Sequence, residues 1–217
     1  FWDRKTGILR LSQKSKIVAL LERYNMQNCR AQELPLPKNT ALSADGPISL
    51  EEEMEVVKKV SKTHPGIKDY ADLIKFCREV IGSIGYLACW GRPDVRHAVY
   101  YLARYQARPS VTHYKMIKHL LRYMKGTQDL TLTFGTRSLQ GPPLVCMVDS
   151  NYIGDGDGCY STTGYVFYYY GCPILCESKK QTAISTGTTE AELIAASHAI
   201  RTGIYLRRLL INDFGMI

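Results

Sequence analysis

Two acidic side chains stand where a metal-dependent hydrolase would need them. Asp149 closes the apolar run Leu144 to Val148, and Glu192 falls in the first turn of a helix expected from Glu190 to about Leu210. Carboxylates held close together repel, and a bound Mg²⁺ relieves that repulsion. Two such ions a few ångströms apart can clamp the attacking and leaving oxygens of a phosphodiester displacement. The layout is expected to bring the two acids together above a sheet. Taken alone, an Asp after a strand is more often a turn or capping residue than a ligand.

A second group of residues suits phosphate. Residues 92–137 carry nine Lys and Arg against Asp94 and Asp129. Within that block Ile117, Leu120, Leu121 and Met124 fall at i, i+3, i+4 and i+7, one buried helix face. Lys115, Lys118, Arg122 and Lys125 then run down the opposite face. A cationic stripe fixed by helix geometry is the footprint of a nucleic-acid backbone, or else a solvated face.

Other chemistries fit less well. Asp149 to Asp157 has the composition of a calcium loop, but Ile153 and Tyr160 occupy positions that should be acidic. The seven cysteines form no CxxC pair, which argues for reduced thiols rather than a zinc site. His113 and His119 are six apart, off one helical face, and read as packing or surface histidines.

The elements that must position these residues can be traced along the chain. Gly7 to Ser12 reads as a short strand, with Ser12 capping a helix whose buried face is Ile17, Leu20, Leu21 and Tyr24. Pro35, Pro37 and Asp45-Gly46-Pro47 mark a loop. Glu51–Val60 and Ile74–Trp90 are helix-prone, and Pro93 opens a further helix with Val95, Ala98, Val99 and Leu102 inward. Pro109-Ser110 separates it from the basic helix, which ends at Gly126 as a C-cap. Then the pattern turns to strands: Leu144–Val148, Thr162–Tyr170, and a third broken at Lys179-Lys180. Thr188 or Thr189 caps the final helix. Helices followed by three strands and a helix make an α+β chain.

The 217 residues are 45% hydrophobic and 22% charged with a net charge of +8, a globular composition. No apolar run reaches the roughly 18–20 residues of a membrane span. The chain opens on Phe1-Trp2 without Met or a secretory pattern and is expected to be a piece of a longer protein.

From Arg10 onward the chain resembles the C-terminal part of copia-type retrotransposon Pol polyproteins. The words that carry the resemblance are Leu9 to Lys14, Val80 to Leu87, Arg92-Pro93-Asp94-Val95, Leu121 to Thr127, Val148 to Tyr152, Ser161 to Phe167, Ser178 to Gln181, Thr188 to Ala195 and Leu206 to Leu210. The resemblance implies that residues 1–137 are a reverse-transcriptase thumb and connection region. It makes 138–217 the opening of a truncated ribonuclease H-like domain, three antiparallel strands plus a long helix. Asp149 and Glu192 then match catalytic, metal-binding carboxylates served by Mg²⁺ or Mn²⁺, and Glu190 takes a lesser part. The implied partners are an RNA–DNA hybrid, held at Lys115, Lys118, Arg122 and Lys125, and the rest of the polyprotein. The implied location is intracellular, in a cytoplasmic particle or the nucleus, with no membrane partner.

The departures point to an incomplete site. Asn151 and Ile153 replace a second Asp and an Ala of the family pattern, Leu193 replaces a common Tyr, and Ser61 to Phe76 fits poorly, as an insertion or diverged loop. The family's third catalytic Asp follows the long helix and has no counterpart here, Asp213 being in the helix-terminal turn. The chain by itself is therefore expected not to cleave. The competing expectation is a non-catalytic remnant that binds nucleic acid or protein, including an adopted effector-like role.

Overall fold

The computed structural model describes residues 1–135, 142–153 and 158–215. The chain divides into two compact units, one taking Ser12–Leu132 and the other Phe1–Leu11 with Thr133 onward.

The Ser12–Leu132 unit is helical: α1 (Lys14–Arg23), α2 (Leu50–Ser61), α3 (Tyr70–Trp90), a 3₁₀ turn at Pro93–Val95, α4 (Arg96–Ala103) and α5 (Val111–Gly126). Every apolar position expected from helical spacing is buried: Ile17, Leu20 and Leu21 of α1 and its C-cap Tyr24; Val95, Ala98, Val99 and Leu102; Ile117, Leu120, Leu121 and Met124 of α5. Side chains from all five α-helices and the loop residue Leu42 close into one core. Local chemistry sets the helix ends. Ser49 Oγ accepts from the Glu52 amide to start α2, and the Asp69 carboxylate accepts from Asp72 to start α3. Ser110 and His113 form a capping box at α5, His113 Nδ1 accepting from the Ser110 amide at 2.9 Å.

Four expectations need correction here. Residues 70–76 belong to α3, so the stretch that fits the family poorly is not wholly a loop. Pro93 starts a 3₁₀ turn, with α4 proper beginning at Arg96. Ser12 does not cap α1; Gln13 occupies that position, without a side-chain cap bond, and Ser12 Oγ accepts from Lys14. Gly126 is the last residue of α5 rather than a C-cap. It is glycine because the chain passes close by: a Cβ there would lie 2.9 Å from the Gln32 carbonyl oxygen.

Beyond the helices, β1 (Trp2–Asp3), β2 (Ile8–Ser12) and β3 (Thr131–Phe134) form a small sheet in that order. The short β1 and β3 carry no sequence alternation long enough to announce them. The larger sheet is β4 (Leu144–Asn151), β5 (Tyr160–Tyr169) and β6 (Cys172–Ile184), antiparallel in the order 4-5-6. The third strand runs unbroken through Lys179-Lys180, which pair in regular register with Thr163 and Thr162; its register shifts against β5 fall on either side, between Lys180 and Ile184 and between Pro173 and Leu175. A single long helix, α6 (Thr188–Arg208), packs on β4 and β5 and ends in a π-type turn, Leu209–Asp213. The mixed helix-and-sheet architecture agrees with α+β.

Candidate functional site

The face of the β4–β5–β6 sheet that α6 covers is fixed by three contacts. Tyr165 Oη lies 3.1 Å from Thr202 Oγ1, Phe167 sits beneath Gly203, and the Gln181 side-chain amide donates to the Ala191 carbonyl at 2.9 Å. Phe167 explains Gly203: a Cβ would stand 3.2 Å from its ring. Strand residues alternate faces, and directly paired residues share one. The β4–β5 register pairs Cys146 with Phe167, Val148 with Tyr165 and Ser150 with Thr163. Those side chains therefore face α6.

Asp149 pairs with Gly164 and leaves from the opposite, open face with Val145 and Met147. It is exposed, and its Oδ1 accepts from the Ser150 amide at 2.9 Å. Glu192 is exposed near the start of α6. It heads the helical row Glu192, Ala196, Ile200, Gly203, Arg207, whose last three members line a groove with Leu144 and Cys146 of β4. The contact of Gln181 with both Thr163 and Ala191 places the start of α6 at the Asp149 end of β4. The structure thus brings both acids to one end of the same strand–helix pair. It does not put both above one face, because strand parity sends Asp149 to the side that α6 leaves open.

Glu190 has a structural task instead. Its carboxylate accepts from the Thr186 amide and hydroxyl, both at 2.7 Å, and these bonds hold its pKa below the usual carboxylate value. It closes the start of α6, where Gly187 rather than Thr188 or Thr189 is the N-cap residue. Asp155 and Asp157 lie outside the described residues, as does the 154–157 part of the Asp149–Asp157 calcium-type loop. Among the described residues no three His, Cys, Asp or Glu side chains gather to hold a metal ion. Asp149 and Glu192 alone do not make an Mg²⁺ site, which needs further oxygen ligands in octahedral order.

The basic stripe is better assembled. Lys115, Lys118 and Arg122 of α5 border a cleft of about 310 Å³ that Lys59 of α2 also lines. Lys125 is in the last turn of α5 and outside that lining. Burial pulls the Lys118 ammonium below the usual lysine pKa, and the neighbouring Arg122 charge adds to it. Lys118 also stands 5.7 Å from the Tyr114 ring centre. Lys59 was not legible as part of this group, since nothing in its own helix pattern ties it to α5.

The histidines behave as packing residues. His113 is buried and stacks on Tyr105 with ring centres 4.5 Å apart. His119 Nε2 lies 3.0 Å from the Leu34 carbonyl. All seven cysteines are free thiols; burial pushes Cys77 up to about 12, which makes it unreactive.

Arg92 was quoted only as part of a family word, yet it organises the helical unit. It is 1% exposed, donates to both Asp94 oxygens, and reaches the Thr127 carbonyl and hydroxyl. Tyr123 completes the set by donating to Asp94 at 2.8 Å.

Among the described residues no helix is long and apolar enough to cross a membrane. No family model matches the chain, and no solved structure matches it significantly. The chain is similar to the retrovirus-related Pol polyprotein from transposon TNT 1-94 of Nicotiana tabacum, 33% identical over 209 residues, 96% of this chain and 14% of the relative. It is likewise similar to the Pol polyprotein from transposon RE2 of Arabidopsis thaliana, 33% identical over 85% of this chain and 11% of the relative. A third relative is the secreted RxLR effector protein 161 of Plasmopara viticola, 35% identical over 58% of this chain and 87% of that protein. The chain spans only a small part of the two polyproteins' length.

Proposed function

We propose that this chain, which is similar over most of its length to retrovirus-related Pol polyproteins of transposons, is a piece of a copia-type polyprotein and supplies nucleic-acid-holding surface to a protein that copies RNA and removes the RNA strand of RNA–DNA hybrids. On this reading the helical unit acts as the thumb and connection region of a reverse transcriptase, and the strand–helix unit opens a ribonuclease H-like domain. The observation that carries the reading is the row of Lys115, Lys118 and Arg122 bordering one cleft on α5. Such a row holds phosphates by charge, which gives sequence-independent, salt-sensitive binding.

The same reading assigns Asp149 and Glu192 to metal-dependent hydrolysis in the complete polyprotein, within a cytoplasmic particle or the nucleus. The described residues do not complete such a metal site, so no hydrolytic step is assigned to this chain alone. Its expected behaviour is to bind a hybrid and leave it intact.

The experiment is a salt titration of hybrid binding by the full chain and by a Lys115→Ala, Lys118→Ala, Arg122→Ala, Lys125→Ala variant. Each lost phosphate contact lowers the slope of log affinity against log salt by about 0.7–0.9. The fourfold variant should therefore lose about three units of slope. An unchanged slope would reduce the stripe to a solvated face.

A second reading rests on the effector-named relative, of which the chain covers 87%. A sequence of this kind can make up most of a protein described as secreted, so a non-catalytic interaction role is the alternative. It predicts hybrid binding no stronger than that of an unrelated protein of equal charge.

A further inference from the structure

The cleft between α2 and α5 has the features of a discrete anion site, beyond a general basic surface. Four cationic side chains from two helices, Lys59, Lys115, Lys118 and Arg122, line a volume of about 310 Å³. That is at the bottom of the range of small-molecule pockets, about 300–1,000 Å³, and suits one small charged group rather than a base and sugar. No acidic residue is among the lining; Glu55 pairs with Lys59 from outside it.

The donors divide into those already used and those still available. Thr63 Oγ1 bonds the Val60 carbonyl at 3.0 Å and faces Tyr114 Oη at 3.3 Å, while His119 is taken up by the Leu34 carbonyl. The Arg122 Nε is different: it is buried and meets no acceptor. A buried donor left without a partner costs about 1–3 kcal/mol. Beside it, burial and the Arg122 charge together disfavour the protonated form of Lys118. An anion in the cleft would give the Arg122 guanidinium a charge-assisted partner and offset the cation–cation repulsion.

We propose that this cleft holds a single phosphate group, gripped by Lys118 and Arg122 of α5 and closed from the α2 side by Lys59. That the phosphate belongs to a nucleic-acid backbone rests on the reading given under Proposed function; the cleft's chemistry is the same for free phosphate.

The test follows backbone amide NMR signals of the full chain while inorganic phosphate is added, and then while an RNA–DNA hybrid is added. Saturable phosphate shifts confined to Thr63, Lys118, Arg122 and their neighbours are expected. A Lys118→Ala, Arg122→Ala variant should weaken phosphate binding at least tenfold, and Lys75→Ala, at an exposed α3 lysine outside the cleft lining, should leave it unchanged. Unaltered signals from the buried core would show that the variants fold. Lys59→Ala should weaken the hybrid as well as phosphate, although Lys59 lies outside the α5 stripe. Phosphate binding without any competition from the hybrid would uphold the cleft and remove the nucleic-acid reading. Hybrid binding that ignores Lys59→Ala, with phosphate shifts absent or spread without saturation over surface lysines, would overturn the cleft and leave that reading standing.

Discussion

In the helical unit, apolar side chains from Ile17 to Met124 close on one another across all its helices. In the strand–helix unit the buried cluster is Tyr165, Phe167, Ala199 and Leu206, with Leu144, Cys146 and Leu175 half-buried beside it. The difference comes from architecture. A helix bundle buries each apolar stripe on several neighbours, whereas within its own unit the three-stranded sheet has only α6 packed on it among the described helices. Met147 is accordingly 64% exposed on the open face, and an apolar groove of about 470 Å³ runs between β4 and the end of α6. The larger core and the cationic cleft belong to one unit, while Asp149 and Glu192 sit on the thinner one.

Substitutions can break or sharpen that contrast, and the largest effect is expected at Arg92. Arg92→Met leaves Asp94 and the Thr127 carbonyl without their buried partner. Removing one member of a fully buried pair costs about 3–5 kcal/mol; since the Asp94 side chain is 32% exposed, about 2–3 kcal/mol is expected. Urea unfolding read by hydrogen exchange of α3 and α5 amides would measure it. A loss below about 0.5 kcal/mol would deny Arg92 its organising role.

Two glycines should then respond with opposite signs. Gly126→Ala drives a methyl against the Gln32 carbonyl and should cost about 1–3 kcal/mol by overpacking. Gly82→Ala, on the exposed side of α3 with nothing within 4 Å, should stabilise by about 0.5–1 kcal/mol through helix propensity. Equal effects at the two sites in thermal melts would contradict the close approach at Gly126.

The smallest stability effect is expected on the open sheet face. Met147→Lys replaces an exposed apolar side chain and should change stability by under about 0.5 kcal/mol while lowering dye binding and self-association. A loss of several times that size would mean that Met147 is packed rather than open.

Much of this was readable from the sequence because helical spacing is a strong signal. The α5 pattern fixed both its buried face and its cationic one, and three strands with a long helix followed from the apolar and β-branched runs and turn residues; their antiparallel order was what the resemblance implied. What escaped depended on contacts between distant segments. Gly126 reads as a cap until Gln32 comes beside it, Lys59 joins the α5 cations only through packing, and Arg92 gains meaning only with Thr127. For Asp149 and Glu192, the sequence pattern showed only the strand and the helix that carry them. Which face Asp149 leaves from was not legible, because parity is set by the register with β5 and by the face that α6 selects.

The most direct measurement places a labelled RNA–DNA duplex with the purified chain in Mg²⁺ or Mn²⁺ and follows retention and strand length together. The account predicts a retarded, salt-sensitive complex whose RNA strand stays whole, and the same result with Asp149→Asn. Cleavage that disappears in Asp149→Asn would contradict it.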